Sequence, residues 1–194
     1  MSASHSASKL PVPSPSDLHV SSCSASHLFP DDGSGVTLPF QTPVYSFKGE
    51  VKLYSVLMSS VPAITTLTAL GQICELKTLE AVVFPSQYTT TTACTVDLLW
   101  TPATDVPSQA ELLHYYGSTR SVFAGTVSTG PVVLPCDFTR CNPIIKAPVA
   151  FSDTPRLSAY FWDNGKRPSG SAEIYLTLVL RGTLNVRRPA VVKG

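Results

Sequence analysis

Histidine and cysteine are the residue types best able to do chemistry here, and their placement argues against a reactive centre. Of four histidines, His5, His19 and His27 fall within residues 1–35 and only His114 lies beyond them. Nucleophilic catalysis needs a nucleophile, a base and an orienting group to converge, so no triad can be nominated and His114 reads as a structural or solvated side chain. The five cysteines, Cys23, Cys74, Cys94, Cys136 and Cys141, are odd in number and irregularly spaced, which disfavours a disulfide framework. Cys136 and Cys141 make a C-x4-C pair, but no second close pair or histidine cluster completes a zinc set. The body's acids lie singly along strands and loops, so a carboxylate dyad could arise only through the fold. No cofactor or metal is expected, and the chain does not read as an enzyme.

Other groups could bind rather than react. Arg181, Arg187, Arg188 and Lys193 occur with no acid among residues 181–194, a local charge of +4. Arg187 and Arg188 are therefore candidate phosphate contacts, although a solvated tail or a charge partner on another subunit fits the pattern equally. Tyr160, Phe161 and Trp162 beside Asp163 and Asn164 could stack on and hydrogen-bond a sugar, which makes a carbohydrate-binding module the alternative reading. Lys166 and Arg167 follow Asn164-Gly165 and precede Pro168, the composition of an exposed turn. Gly33-Ser34-Gly35 has no following helix to form a phosphate loop and reads as a hinge.

The elements that would position these residues are strands. After Gly35 short β-type runs alternate with Pro, Gly, Asn and Asp, as in an all-β sandwich. The clearest is 174–187, where Ile174, Leu176, Leu178, Leu180, Gly182, Leu184 and Val186 take one parity and Tyr175, Thr177, Val179, Arg181, Thr183, Asn185 and Arg187 the other. Alternation of period two predicts a strand with one buried and one mixed face. Shorter runs are 44–50, 51–58, 76–84, 94–101, 121–124, 132–134 and 156–162, eight strands in all, the number of a double-sheet jelly roll. Two crossover helices are expected. In 60–71, Ser60 would cap, Pro62 suits the first turn and Gly71 would stop the helix. In 107–117, Ser108 and Glu111 have capping-box spacing and Gly117 would terminate.

Composition bounds the whole. The chain has 194 residues, of which only 14% are charged, 43% are hydrophobic and 17 are proline. Ordinary soluble domains carry roughly 25% charge, so little charge separates copies. Net charge is +1, which excludes bulk attraction to nucleic acid as well as an acidic disordered character. Residues 1–35, rich in Ser, Ala and Pro, carry one lysine against three aspartates, a formal −2, leaving +3 for the rest. This segment cannot bury a core and reads as a flexible arm. The expected organisation is an arm at 1–35, a β-sandwich body at 36–187 and a tail at 188–194. The apolar stretch 174–180 is too short to span a membrane, which needs about 20 residues. The start of the chain lacks the basic and apolar regions of a signal peptide, and a cytoplasmic start is expected.

Several strings, in this order, resemble the coat proteins of the tymovirus family, small plant viruses with positive-strand RNA, including the related marafiviruses and maculaviruses. Pro39-Phe40-Gln41 stands where the family opens its first strand. Trp100-Thr101-Pro102-Ala103, then Tyr116-Gly117, are similar to the family pattern, as are Asn142-Pro143-Ile144-Ile145-Lys146, Asp153-Thr154-Pro155-Arg156-Leu157 and Gly182-Thr183-Leu184. The resemblance implies an eight-stranded antiparallel jelly roll and makes Pro39, Phe40, Gln41, Trp100, Pro102, Tyr116, Gly117, Asn142, Pro143, Lys146 and Pro155 the candidate assembly residues. It further implies T = 3 shells of about 180 copies in pentamers and hexamers, the arm lying inside. Those copies together would carry only about +180, against thousands of RNA phosphates. The resemblance therefore implies polyamines or inorganic cations as the main counter-ions and no membrane partner. Candidate RNA contacts are His5, Lys9, His19, His27, Arg187 and Arg188, the histidines gaining charge near pH 6.5. Localisation is expected to be the virion, with assembly in the host cytoplasm.

Overall fold

A computed structural model describes residues 35–49, 51–90, 92–124, 130–149, 152–163 and 173–189. The arm candidates His5, Lys9, His19 and His27 lie outside these residues, as do Cys23, Lys166, Arg167 and Lys193.

Nine strands are present among the described residues: β1 (Val36–Phe47), β2 (Lys52–Leu57), β3 (Gly71–Pro85), β4 (Cys94–Thr101), β5 (Thr119–Phe123), β6 (Val132–Pro135), β7 (Ile144–Lys146), β8 (Arg156–Asp163) and β9 (Leu176–Pro189). One sheet runs β1-β9-β3-β6, with β7 also on β3, and the other runs β2-β8-β4-β5. Every pairing is antiparallel. The chain passes back and forth between the sheets and closes them face to face, the jelly-roll arrangement.

The period-two expectation for β9 holds: Leu176, Leu178, Leu180, Leu184 and Val186 all enter the core. Ile174 does not, because the strand begins two residues later and Ile174 is exposed. Gly182 has its own reason. It sits between Phe40 and Leu79 of the flanking strands, and a Cβ there would fall 2.2 Å from the Thr78 carbonyl oxygen. Only glycine lets the β3 backbone come this close.

Three differences from expectation have local causes. β1 starts at Val36 rather than near residue 44, with Pro39 and Pro43 inside it. Proline removes a ladder donor, which breaks the sequence pattern, but β1 is a sheet edge and tolerates it, with a register shift after Pro43. The ninth strand, β7, has only three residues and reads as a loop until β3 supplies its partner. The second crossover helix is absent: only a 3-10 turn, Leu112–His114, forms. Only half of the Ser108–Glu111 box is made: Glu111 Oε2 accepts from Ser108 N at 3.0 Å and Oγ at 2.7 Å, while the Glu111 N–H goes to the Ser108 carbonyl at 3.1 Å. The backbone beyond it turns to lie along a sheet.

The first crossover helix exists as α1 (Pro62–Thr68), with Pro62 in its first turn and Ile64 buried. Ser60 does not cap it; its hydroxyl donates to the Leu57 carbonyl at 2.8 Å, and Val61 takes the N-cap position without a side-chain bond. No helix among the described residues is long and apolar enough to cross a membrane.

The core lies between the sheets. Phe47 and Phe161 stack at 5.4 Å between ring centroids. The Trp100 indole N–H on β4 donates to the Leu134 carbonyl of β6 at 3.0 Å, tying one sheet to the other. β4 is buried on both faces. Cys94, Val96, Leu98 and Trp100 face the core, while Leu99 packs with Tyr160 and Leu112 on the outside of the second sheet. Residues 102–118 thus form a strap over that face.

Candidate assembly surfaces

The family-pattern strings at 102–103, 142–146 and 153–156 form joints within the subunit. Asn142 Oδ1 accepts from the Ile144 amide at 3.0 Å, and the Pro143 carbonyl accepts from Leu76 N at 2.8 Å. Lys146 Nζ donates to the Thr68 carbonyl at 2.9 Å, placing a cation at the C-terminal end of α1, where the helix dipole favours it. The pieces around residues 102 and 155 meet. Asp153 Oδ1 accepts from Ala103 N at 3.3 Å, and Arg156 donates to the Ala103 carbonyl at 3.2 and 3.1 Å from Nε and Nη2. The Pro155 carbonyl accepts from Met58 N at 2.9 Å, and the Pro102 carbonyl accepts from Asp105 N at 3.1 Å. Phe40 is buried opposite Gly182, whereas Pro39 and Gln41 are exposed on the β1 edge.

Two of the four cations of the expected basic run, Arg181 and Arg187, are spent on ion pairs. Arg187 is only 3% exposed. Its Nη2 donates to Glu75 Oε2 at 2.5 Å and its Nε to Asn185 Oδ1 at 3.1 Å. As a phosphate contact Arg187 is therefore corrected: the opposite parity of β9 is also covered at this end, and the guanidinium answers a buried carboxylate on β3. Glu75 Oε2 additionally accepts from Lys77 at 3.3 Å. Arg181 pairs with Glu80. Arg188 is exposed and has a positive φ of 51°, an uncommon conformation for a residue with a side chain.

The sugar-stacking reading loses its platform. Tyr160 is buried beneath the strap and its hydroxyl accepts from Gln109. Trp162 is half-buried under the Arg120 guanidinium, 4.9 Å from its centroid. Arg120 is itself clamped by Asp97, with both N–H···O distances at 2.8 Å. Phe161 points into the core, as parity with Leu157 and Ala159 predicts.

Nor do the titratable groups assemble a reactive site. Among the described residues no three metal-ligating side chains gather, and Cys74, Cys94, Cys136 and Cys141 are buried. Hydrogen bonding to Cys141, with burial, pushes the Cys136 thiol up, and the same bond lowers Cys141. His114 lies exposed in the strap.

Exposed large apolar side chains sit mostly on loops and edge strands: Val36, Val51, Leu70, Val106, Leu113, Tyr116, Val122, Val133 and Val149, with Phe84 on β3 and Ile174 before β9 less so. Tyr116 is the extreme case at 84% exposure. Its ring lies under the Arg140 guanidinium, 5.4 Å from the centroid, and Arg140 also donates to the Tyr116 carbonyl. Gly117 follows with a φ of +88°, which carries the chain back toward β5. Composition and resemblance singled out the Tyr116-Gly117 string, but no sequence signal points to Arg140, which the fold brings across from the turn after β6.

A jelly roll that leaves large apolar groups exposed on its loops and edges suits a building block, and the fold is of the class that makes virus shells. The family model described as tymovirus coat protein matches residues 10–194. The capsid protein of Cacao yellow mosaic virus is 32% identical over 155 residues, covering 79% of this chain and 80% of that relative. That of Grapevine fleck virus (isolate Italy/MT48) is 31% identical over 157 residues, 79% and 68% respectively. The solved structure of Desmodium yellow mottle tymovirus aligns with a TM-score of 0.76 at 27% identity, over 100% of this chain and 97% of that one. Turnip yellow mosaic virus, at 20% identity and a TM-score of 0.74, shares the fold. The chain belongs to the tymovirus coat protein family. It is a capsid subunit and a virion component, not an enzyme.

Proposed function

We propose that the chain builds a T = 3 shell of about 180 copies around positive-strand RNA, assembling in the host cytoplasm, with polyamines or inorganic cations as the main counter-ions. The carrying observation is where the subunit's cations are spent: Lys77 and Arg187 on Glu75, Arg181 on Glu80 and Arg120 on Asp97. With these four cations matched to acids in a chain of net +1, the net charge per subunit is far too small to neutralise a phosphate backbone. Neutralisation then falls to small cations. The arm, with its three histidines and Lys9, and the exposed Arg188 supply conditional contacts to RNA.

The test is to purify particles and measure polyamine and metal-ion charge against RNA phosphate. Small cations should balance most of the phosphate. If they balance only a minor part and mutating Arg188 or Lys9 empties the shells, the reading is wrong. Electron microscopy of the chain expressed without other viral components should show closed shells of about 30 nm.

A further inference from the structure

We infer that Tyr116 and Arg140 form a preassembled anchor that inserts into a second copy of this chain. This rests on the capsid reading and specifies a contact within it.

The pair is built before any partner arrives. Residues 102–118 are braced internally by Ser108 donating to Glu111 and by Tyr115 donating to Asp105 Oδ1 at 2.8 Å, and are fastened to the sheet by Gln109 donating to Tyr160 and by Leu112, fully buried against Leu99 and Tyr160. Arg140 comes from a tight turn in which Thr139 N donates to Asp137 Oδ1 at 2.9 Å and Cys141 N to the Asp137 carbonyl at 3.0 Å. Buried Cys136 and Cys141 root that turn at both ends. One face of the Tyr116 ring is held by the guanidinium, yet the residue is 84% exposed. An aromatic side chain ordered in this way has already lost the rotamer freedom that association would otherwise remove.

The chemistry of the patch selects protein. Tyrosine and arginine dominate the energetic centres of protein interfaces, and exposed Leu113 stands three residues before the ring in the same strap. Arg140 gives Nη1 to the Tyr116 carbonyl, and its other donors have no acceptor among the described residues. They suit carbonyls or a carboxylate at the rim of an apolar pocket. An exposed ring beside arginine would also suit base stacking, but residues 102–118 contain Asp105 and Glu111 and no lysine or arginine, a formal −2 that repels a phosphate backbone. The occupant is a neighbouring subunit, whose arrival a shell-building chain guarantees.

Full-length protein tests this. Tyr116→Ala should leave circular dichroism and cooperative unfolding of dispersed subunits unchanged while cutting particle yield about tenfold or more, the scale of one interface anchor. Tyr116→Phe, which keeps the ring, should stay near wild type. Tyr116→Trp reports directly: its fluorescence should be quenchable by acrylamide in dispersed subunits and protected in shells, empty or filled. Equal quenching in both states, or wild-type yield from Tyr116→Ala, overturns the anchor and leaves the capsid reading intact. Protection only in RNA-filled shells overturns it in favour of RNA. Absence of shells from the wild-type chain would instead strike at the capsid reading.

Discussion

Arg187 shows how far a residue's role departs from its composition. Among the last residues it is one more cation in a run without acids, yet in the fold it is the partner of a carboxylate with almost no access to water. Removing one member of such a pair strands the other charge, typically at about 3–5 kcal/mol, whereas an apolar replacement of both is often near neutral. Arg187→Met leaves Glu75 only its 3.3 Å contact with the more exposed Lys77 and should therefore destabilise subunits by up to about 3–5 kcal/mol in urea unfolding, and Glu75→Leu combined with Arg187→Met should recover most of the loss. A merely additive double variant would mean that the two side chains do not act together. Gly182 makes the same point through sterics. Gly182→Ala places a methyl 2.2 Å from a backbone oxygen and should cost about 1–3 kcal/mol as overpacking does, read as a lower midpoint of thermal unfolding.

The decisive element is the strap over the second sheet. It converts an aromatic surface on β8 into an interior one and leaves Tyr116 at its tip. Leu112→Ala should cost about 2–5 kcal/mol and bring Tyr160 to solvent, detectable as increased tyrosine quenching. The strap also has an alkaline limit. The hydrogen bond to Asp105, followed by burial, raises the Tyr115 phenol above its ordinary 10.0. A raised folded-state value means that this stabilisation is complete below the unfolded-state value and fades as pH climbs through the folded one. Subunits should thus lose stability above about pH 10, and Tyr115→Phe should remove that component of the pH profile. Glu111 acts at the opposite end. Its hydrogen bonds to Ser108 lower it from 4.5, so its contribution is present above that value and disappears as pH falls through the depressed one.

At the scale of the molecule, low charge becomes intelligible as a property of a subunit meant to be surrounded. Four of the body's cations, Lys77, Arg120, Arg181 and Arg187, are matched to acids inside the chain, and large apolar side chains stay exposed at edges and loops, as an interface requires. Residues 1–35, the expected arm, carry a formal −2 against +3 for the rest. If the arm switches between pentameric and hexameric settings, a chain beginning at Val36 should fold normally but give shells of mixed or smaller size by electron microscopy. Uniform T = 3 particles from that chain would remove the arm from the switch.

Residues near in sequence carried their own message. The alternation in β9, Pro62 opening α1, the Ser108–Glu111 spacing and the ordered family strings were all readable, because strand parity, capping and turn chemistry depend on neighbours a few positions away. The prolines of β1 obscured an edge strand for the same reason, since whether a missing donor matters depends on which side of the sheet it faces. The near-neutral charge, the want of a histidine or cysteine cluster and the jelly-roll class came from sequence alone. Only tertiary structure decided that Arg187 is consumed, that Tyr160 is covered and that Arg140 holds Tyr116 outward. Glu75 and Arg187 are 112 residues apart and Tyr116 and Arg140 are 24 apart, so sheet register and loop docking, not local pattern, set the distances on which their electrostatics depend.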